Sequence, residues 1–138
     1  MAEKLLIVDD EPDMLKLLQM IITEKTPYEV VTTNNPHEAV ELAKKDGFAM
    51  VITDLKMPGL DGIEVLEAIR SMDEDIPVIF ITAYGSVESA IETMQKGAFD
   101  FITKPFKKEQ ILFTIEKAMK FVALQKENRM LREKFRGG

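Results

Sequence analysis

The sequence contains no cysteine among its 138 residues, which excludes a disulfide framework and a thiolate-based site. It also lacks any apolar run approaching the roughly 18 residues of a membrane span, so membrane insertion is excluded on length. The chain enters its first short apolar run directly after Met1-Ala2-Glu3-Lys4, without a leader-like extension. We therefore expect a cytoplasmic protein that comprises one compact domain and a tail.

Charged residues are divided unevenly along the chain. Residues 1–103 carry 8 basic and 20 acidic side chains, a balance of −12, whereas residues 104–138 carry 10 and 4, a balance of +6. Phosphate contact needs clustered Lys and Arg, so the acidic part is not expected to bind nucleic acid. The basic part is predicted to be a solvated helix face rather than a nucleic-acid surface.

Short apolar runs alternate with segments of helical period, a pattern that is typical of βα units and predicts a parallel sheet. Four of these runs lie at residues 5–8, 50–53, 78–81 and 99–103. Polar side chains end or follow them, namely Asp9 and Asp10, Asp54, Thr82 and Lys104. Open α/β sheets hold ligands at the carboxyl ends of their strands, so these side chains are expected to share one small site.

Helix boundaries can also be predicted. The first helix should follow Pro12, because apolar residues recur at three- and four-residue spacing between 14 and 22. Asn35 is predicted to cap a second helix that Pro36 begins and Gly47 ends. His37, the only histidine, falls in the first turn of that helix and is expected at the surface.

After Pro105 the periodicity predicts one helix that reaches about Phe135, roughly twice the length of the others. Its first half is expected to pack on the sheet. The apolar face that would do so comprises Ile111, Leu112, Ile115, Ala118 and Met119.

The apolar positions of this helix then shift to a heptad-like series of Phe121, Leu124, Asn128, Leu131 and Phe135. An a-d-a-d-a series with a central Asn is typical of parallel two-stranded coiled coils. We therefore divide the chain into a domain at 1–120 and a helical extension at 121–138 that forms a homodimer. The alternative is a single amphipathic helix that packs back on its own domain or frays.

The polar residues at the strand ends indicate phosphoryl chemistry. Carboxylates held close together repel one another unless a cation lies between them, and oxygen ligands suit Mg²⁺. A carboxylate can itself attack phosphorus, and phosphoryl transfer then requires mainly positioning and charge neutralisation. A metal, an ammonium group and a hydroxyl donor would satisfy those requirements.

Four motifs in order resemble the receiver domain of two-component response regulators, over about residues 3–120. They are 6–11 (Leu-Ile-Val-Asp-Asp-Glu), 54–62 (Asp-Leu-Lys-Met-Pro-Gly-Leu-Asp-Gly), 81–83 (Ile-Thr-Ala) and 104–105 (Lys-Pro). The resemblance implies an α/β, flavodoxin-like, doubly wound fold like that of the chemotaxis receivers. Its five parallel strands would have the order 2-1-3-4-5, with five helices and, here, an extended last helix.

The resemblance also implies a role for each site residue. Asp54 would be the phosphoacceptor and Asp10 a direct Mg²⁺ ligand, with Asp9 orienting the metal or its water. The main-chain carbonyl of Lys56 would complete the metal ligands from the protein. Thr82 and Lys104 would contact the phosphoryl group.

Two further features follow from the same resemblance. Phe101 occupies the switch position, where a ring turns inward as Thr82 moves. The bond between Lys104 and Pro105 is expected to be cis, since a tertiary amide costs only about 0.5–1 kcal/mol in that form. Lys56 and Tyr84 flank the phosphate position, so the lifetime of the phosphoryl group stays open.

Residues 97–106 and 125–132 are similar to receivers of the nitrogen- and dicarboxylate-regulating activators. In those proteins an AAA+ ATPase that works on σ54 polymerase and a DNA-binding helix-turn-helix follow the receiver. The resemblance implies a sensor histidine kinase as partner and a longer parent chain with these two domains. The chain has no Walker A motif, so ATP hydrolysis is not predicted for it.

Three other functions fit the sequence less well. A free-standing receiver that acts by protein–protein interaction would have little use for the heptad residues. A Mg²⁺-dependent phosphohydrolase of the haloacid-dehalogenase kind carries a second Asp two positions after the nucleophile, where this chain has Lys56. A flavodoxin-like cofactor binder needs a phosphate-binding loop after the first strand, where Asp9, Asp10 and Glu11 would repel the phosphate.

Overall fold

The computed structural model describes residues 3–57, 59–83 and 85–136, with side chains described up to Lys134. Five strands alternate with five helices. The order along the chain is β1 (Lys4–Val8), α1 (Pro12–Lys25), β2 (Glu29–Thr33), α2 (Pro36–Lys45), β3 (Met50–Thr53), α3 (Gly62–Met72), β4 (Val78–Thr82), α4 (Val87–Gln95), β5 (Asp100–Thr103) and α5 (Lys108–Arg136).

All strand pairs of the single sheet are parallel, and the strand order is β2-β1-β3-β4-β5. The predicted doubly wound, flavodoxin-like α/β fold is therefore confirmed. In register, Val8 pairs with Thr53 on β3, and Thr82 pairs with Thr103 on β5. The carboxyl ends of these four strands consequently meet at one edge of the sheet.

Both faces of the sheet are covered by helices, so its central strands are apolar on both sides. On β1, Leu5 and Ile7 belong to one core cluster and Leu6 and Val8 to the other, all at most 1% exposed. The first cluster includes α1 and α5 residues, and the second includes α3 residues and Phe80. Full burial of such side chains stabilises the fold by about 1.5–3 kcal/mol each.

Local sequence signals account for most helix starts. The Asn35 side chain accepts hydrogen bonds from the amides of His37 and Glu38, as predicted, and His37 is exposed. Helix α2 ends at Lys45, before Gly47, with Asp46 in an extended conformation at the C-cap. Gly47 therefore does not end the helix as a left-handed residue, because a positive φ is found in the described glycines only at Gly59 and Gly97.

Helix α5 is 29 residues long, as the periodicity predicts. Ile111, Ile115 and Ala118 are buried on the sheet, and the remaining predicted contacts, Leu112 and Met119, are half-buried. Beyond Met119 the helix passes the N-terminal edge of the sheet. Among the described residues, no helix combines the length and hydropathy needed to cross a membrane.

Candidate functional site

The ends of β1, β3, β4 and β5 bring four of the predicted side chains to one edge of the sheet. Asp9 is 2% exposed, Asp54 3% and Thr82 0%. Lys104 follows β5, and its side chain is 10% exposed. Because parallel strands all end at this edge, residues from four distant parts of the chain meet there.

Lys104 is the cation at the centre of this arrangement. Its Nζ lies 3.1 Å from Asp9 Oδ2 and 3.2 Å from Asp54 Oδ2. The carboxylate of Glu11 lies 3.5 Å away on the exposed side. Burial by itself lowers the pKa of Lys104, but the hydrogen bond and charge of Asp9 and the charge of Asp54 outweigh it, so the pKa is raised.

Asp9 has the opposite balance. Burial raises its pKa, and the hydrogen bond from the Glu11 amide and the contact with Lys104 offset only part of this effect. That amide lies 2.9 Å from Asp9 Oδ1, whereas the Glu11 side chain makes no capping hydrogen bond at the start of α1. Asp9 therefore contacts both Lys104 and the N-cap residue of α1.

The two oxygens of Asp54 have different partners. Oδ1 accepts hydrogen bonds from the main-chain amides of Leu55 at 2.6 Å and Lys56 at 3.4 Å, while Oδ2 contacts Lys104. Gly62 lies directly against this segment, and its amide donates to the Leu55 carbonyl at 2.8 Å. A Cβ atom at Gly62 would overlap the carbonyl oxygen of Asp54 and lie 2.9 Å from Leu55 Cα.

Four carboxylates make this edge strongly acidic. One carboxylate oxygen from each of Asp9, Asp10, Glu11 and Asp54 lies within 4.8 Å of the others. With Lys104 included, the five groups carry a formal charge of −3. An all-oxygen donor set with two exposed members, Asp10 and Glu11, fits a hard divalent cation such as Mg²⁺.

Glu11 is the residue of this cluster that sequence reasoning did not assign to the site. It follows Asp10 directly in the first motif, and that adjacency was the signal that could have found it. In the structure it contacts Lys104 and completes the carboxylate group.

Thr82 and Phe101 lie beside this centre on neighbouring strands. Thr82 is the last residue of β4, and its carbonyl accepts a hydrogen bond from the Lys104 amide at 2.8 Å. Phe101 is half-buried and stacks on Phe80, with ring centroids 6.3 Å apart. Gly85 lies close to β5, because a Cβ there would overlap Thr103 Cγ2 and lie 3.3 Å from the Phe101 ring.

The remaining predicted features of this edge are residues near Asp54 and Thr82 and one peptide bond. Lys56 is exposed, and Ala83, the small residue after Thr82, is exposed as well. The bond between Lys104 and Pro105 is cis, as predicted. Pro58 and Tyr84 lie outside the described residues, so the structure has no bearing on the predicted effect of Tyr84 on the lifetime.

The predicted dimer residues lie elsewhere, on the second half of α5. Leu124 is 60% and Leu131 47% exposed, and Asn128 is exposed. Phe121 is half-buried and packs on Phe99, with ring centroids 5.6 Å apart. The side chain of Phe135 lies outside the described residues.

The fold and site define a class of protein: a doubly wound parallel α/β domain with clustered carboxylates and a lysine at the carboxyl edge of its sheet. Residues 5–116 match the family described as response regulator receiver domain. The chain belongs to this family of two-component signalling proteins.

Known relatives support this assignment and indicate a subgroup within the family. The C4-dicarboxylate transport transcriptional regulatory protein DctD of Pseudomonas aeruginosa is 34% identical over 129 residues, which cover 94% of this chain and 28% of that protein. This chain thus spans little more than a quarter of the relative's length. The predicted resemblance to receivers of the nitrogen- and dicarboxylate-regulating activators is confirmed over the receiver region.

Two solved structures are similar as well. NtrX from Brucella abortus is 31% identical with a TM-score of 0.87, covering 95% of this chain and 30% of that one. The beryllofluoride-activated NtrC4 receiver domain dimer is 34% identical with a TM-score of 0.82, covering 86% of this chain and 98% of that one.

Proposed function

We propose that this chain is a phosphorylation switch in which Asp54 accepts a phosphoryl group from a sensor histidine kinase. The observation that carries the proposal is the buried Asp54 carboxylate, 3.2 Å from Lys104 and inside a group of four carboxylates. In a purely structural ion pair the further carboxylates would only add repulsion. A bound divalent cation would offset their charge and leave Asp54 placed to receive a phosphoryl group.

The transfer uses the oxygens of Asp54. One oxygen attacks phosphorus, a new O–P bond forms, and the P–N bond to the donor imidazole breaks, with its electron pair returning to the imidazole nitrogen. Oδ1 is held by the Leu55 and Lys56 amides, so Oδ2, which faces Lys104, is the oxygen placed to attack. Water later attacks phosphorus, the O–P bond to Asp54 breaks, and inorganic phosphate leaves as the carboxylate is restored.

Magnesium is the cofactor that this donor set would hold. Asp10 and Asp54 are the proposed direct ligands, together with the main-chain carbonyl of Lys56, and Asp9 orients the ion or its water. When bound, Mg²⁺ supplies positive charge that offsets the carboxylates and the incoming phosphoryl group. Lys104 neutralises the phosphoryl group from the other side, and Thr82 donates a hydrogen bond to it.

Thr82 and Phe101 are proposed to transmit the event. Both residues lie next to the loop that contains Gly85, and Phe101 is half-buried, so its ring is not fixed on all sides by packing. Movement of Thr82 toward the phosphoryl group would let the Phe101 ring turn inward. The altered surface would then comprise α4, β5 and α5.

The output we propose is a change in dimerisation through Phe121, Leu124, Asn128, Leu131 and Phe135. The similar NtrC4 receiver is described as a beryllofluoride-activated dimer, which supports dimerisation without indicating the residues involved. We further infer a longer cytoplasmic parent protein in which an AAA+ ATPase and a DNA-binding domain follow this segment and act on σ54 polymerase.

Phosphorylation is tested by incubating the protein with acetyl phosphate and Mg²⁺ and measuring its intact mass. The wild type should gain one phosphoryl group, and Asp54→Asn should gain none. The control is Asp46→Asn, an exposed acid at the end of α2, which should be modified like the wild type. Equal modification of Asp54→Asn would contradict the site.

Dimerisation is tested separately by sedimentation of residues 1–138 and of a chain that ends at Lys120. The longer chain should have the mass of a dimer and the shorter one the mass of a monomer. Identical monomer masses would refute the dimer while leaving the phosphoryl site untouched.

A further inference from the structure

The second half of α5 contacts its own domain through polar side chains. Gln125 donates a hydrogen bond to Asp75 at 3.0 Å, and Arg129 pairs with both Asp75 and Asp73, the latter at 3.2 Å. Lys126 pairs with Glu3, the residue before β1, at 3.3 Å. We call this set of contacts the edge clasp. It comprises Gln125, Lys126 and Arg129 on α5, with Glu3, Asp73 and Asp75 on the domain.

Asp73 and Asp75, two of the three acids of the edge clasp, lie in a turn that is constrained by contacts within the domain. The Asp75 amide donates to Asp73 Oδ1 at 2.8 Å within the turn between α3 and β4. Arg70 donates to the Ile76 carbonyl at 2.5 Å and to the Gly97 carbonyl at 2.7 Å, which joins this turn to the end of α4. The carboxylates are therefore presented by a constrained turn, which reduces the entropy cost of binding the helix.

The edge clasp and the heptad series occupy different faces of α5. At 100° per residue, Gln125, Lys126 and Arg129 centre roughly 130° around the helix from the series that contains Leu124 and Leu131. Leu124 and Leu131 accordingly stay 60% and 47% exposed while the edge clasp is formed. For Leu124 and Leu131, docking of the helix on its own domain and pairing with another helix are thus compatible. Asn128 donates a hydrogen bond to Gln125 at 3.5 Å and Phe121 packs on Phe99, so these two heptad residues lie at the border of the docked face.

We propose that the edge clasp sets the rotation of α5 on its domain, so that Leu124, Asn128 and Leu131 form a docking surface for a second copy of this chain. Charge complementarity favours docking of α5 on its own domain, since residues 1–103 have a balance of −12 and residues 104–138 one of +6. A second copy is favoured as the occupant by the exposed Leu124 and Leu131 of the heptad series and by the dimer of the similar NtrC4 receiver. The surface for the second copy rests on the dimer of the proposed function, whereas docking of α5 on its own domain does not. Arg129 is a positioning residue here, because it acts through the orientation of the helix.

Docking is measured by amide hydrogen exchange over residues 121–134, which needs no dimer. Exposed ion pairs are individually weak, so Arg129→Gln should speed exchange about three- to tenfold. The matched control is Lys134→Gln, which removes the same charge from an exposed position of the same helix. Raised salt should reduce the difference between wild type and Arg129→Gln, because screening weakens the pairs.

Exchanging the charges of Arg129 and Asp75 distinguishes loss of their ion pair from a general effect of substitution on helix stability. Arg129→Asp should speed exchange further, and adding Asp75→Arg should restore part of the protection. Equal rates in Arg129→Gln and Lys134→Gln would overturn the edge clasp, as would a charge-exchanged variant no better protected than Arg129→Asp alone.

The role in dimerisation is measured as a dissociation constant by sedimentation equilibrium. Arg129→Gln should weaken the dimer several-fold, Lys134→Gln should not, and Leu131→Glu should abolish it. A tighter dimer in Arg129→Gln would overturn the orienting role, because the edge clasp would then compete with dimerisation. A wild type that stays monomeric refutes both the proposed dimer and its docking surface, while hydrogen exchange still decides whether the helix docks.

Discussion

Replacing Asp10 by Asn should stabilise the metal-free protein, although it removes a group that belongs to the site. One oxygen of Asp10 lies within 4.8 Å of an oxygen on Asp9, Glu11 and Asp54. Two unit charges at that separation repel by about 1 kcal/mol when fully screened by water and by roughly 3 kcal/mol near a partly buried surface. Asp10 is exposed, so the screened value applies.

Asp9 and Glu11 are chain neighbours of Asp10 and also repel it in the unfolded chain, so only part of their repulsion is lost on unfolding. These repulsions and that of Asp54, less the attraction of Asp10 to Lys104, leave about 1 kcal/mol or less in favour of the variant. The free energy of unfolding is measured by denaturant titration in the presence of EDTA, and again with excess Mg²⁺. Asp10→Asn should be the more stable protein in EDTA. With Mg²⁺ the wild type should gain stability and the variant little, because the variant has lost a ligand.

Asp13→Asn is the matched control for this experiment. It removes the same charge three residues further on, in the first turn of α1 and outside the carboxylate cluster. Since an acid there interacts favourably with the start of the helix, the control should be neutral or slightly less stable. The reasoning is refuted if Asp10→Asn is less stable than wild type in EDTA, or if Mg²⁺ stabilises both equally.

Three further variants test close packing at Gly62, the cap of α2 and the charge of Lys104. Gly62→Ala should lower the free energy of unfolding by about 2 kcal/mol, because its Cβ would overlap the Asp54 carbonyl, and should slow modification by acetyl phosphate; an unchanged denaturation midpoint and rate would contradict this. Asn35→Ala should cost about 1 kcal/mol by removing the α2 cap, whereas Asn34→Ala, with an exposed side chain, should cost little. Lys104→Met should cost about 3 kcal/mol in EDTA by leaving two buried carboxylates unpaired, and a smaller loss than in Gly62→Ala would count against its central position.

The fold and the meeting of polar residues at one edge could be predicted because both follow from periodicity. Apolar runs of four to five residues separated by helical segments leave few arrangements other than a parallel sheet. Once the strands are parallel, Asp54, Thr82 and Lys104 must approach one another whatever their separation along the chain. The Asn35 cap could be predicted as well, since its hydrogen bonds span only two to three residues of the chain.

Contacts between exposed charges on distant elements could not be predicted in this way. Arg129 and Asp75 are 54 residues apart, and neither belongs to an apolar pattern that would place it. Periodicity predicted an outward series on α5, and it left open whether the helix also packs back on its domain. The participation of Glu11 depends on how the chain turns after β1, which the strand pattern does not specify.

The role of Gly62 could not be predicted from the sequence either. Its position in a turn-rich segment suggested only a loop, whereas its required lack of a side chain comes from the approach of α3 to the Asp54 carbonyl. Close approach between two main-chain segments depends on tertiary packing, and a glycine in a loop has several other possible causes.

The central claim is that Asp54 is the nucleophile, and reductive trapping tests it most directly. The protein is incubated with acetyl phosphate and Mg²⁺ and then treated with borohydride, which reduces an acyl phosphate to an alcohol and so converts the modified Asp to homoserine. Peptide mass spectrometry should place homoserine at residue 54 and at no other acid. Homoserine at Asp9, Asp10 or Glu11 with residue 54 unchanged would contradict the account.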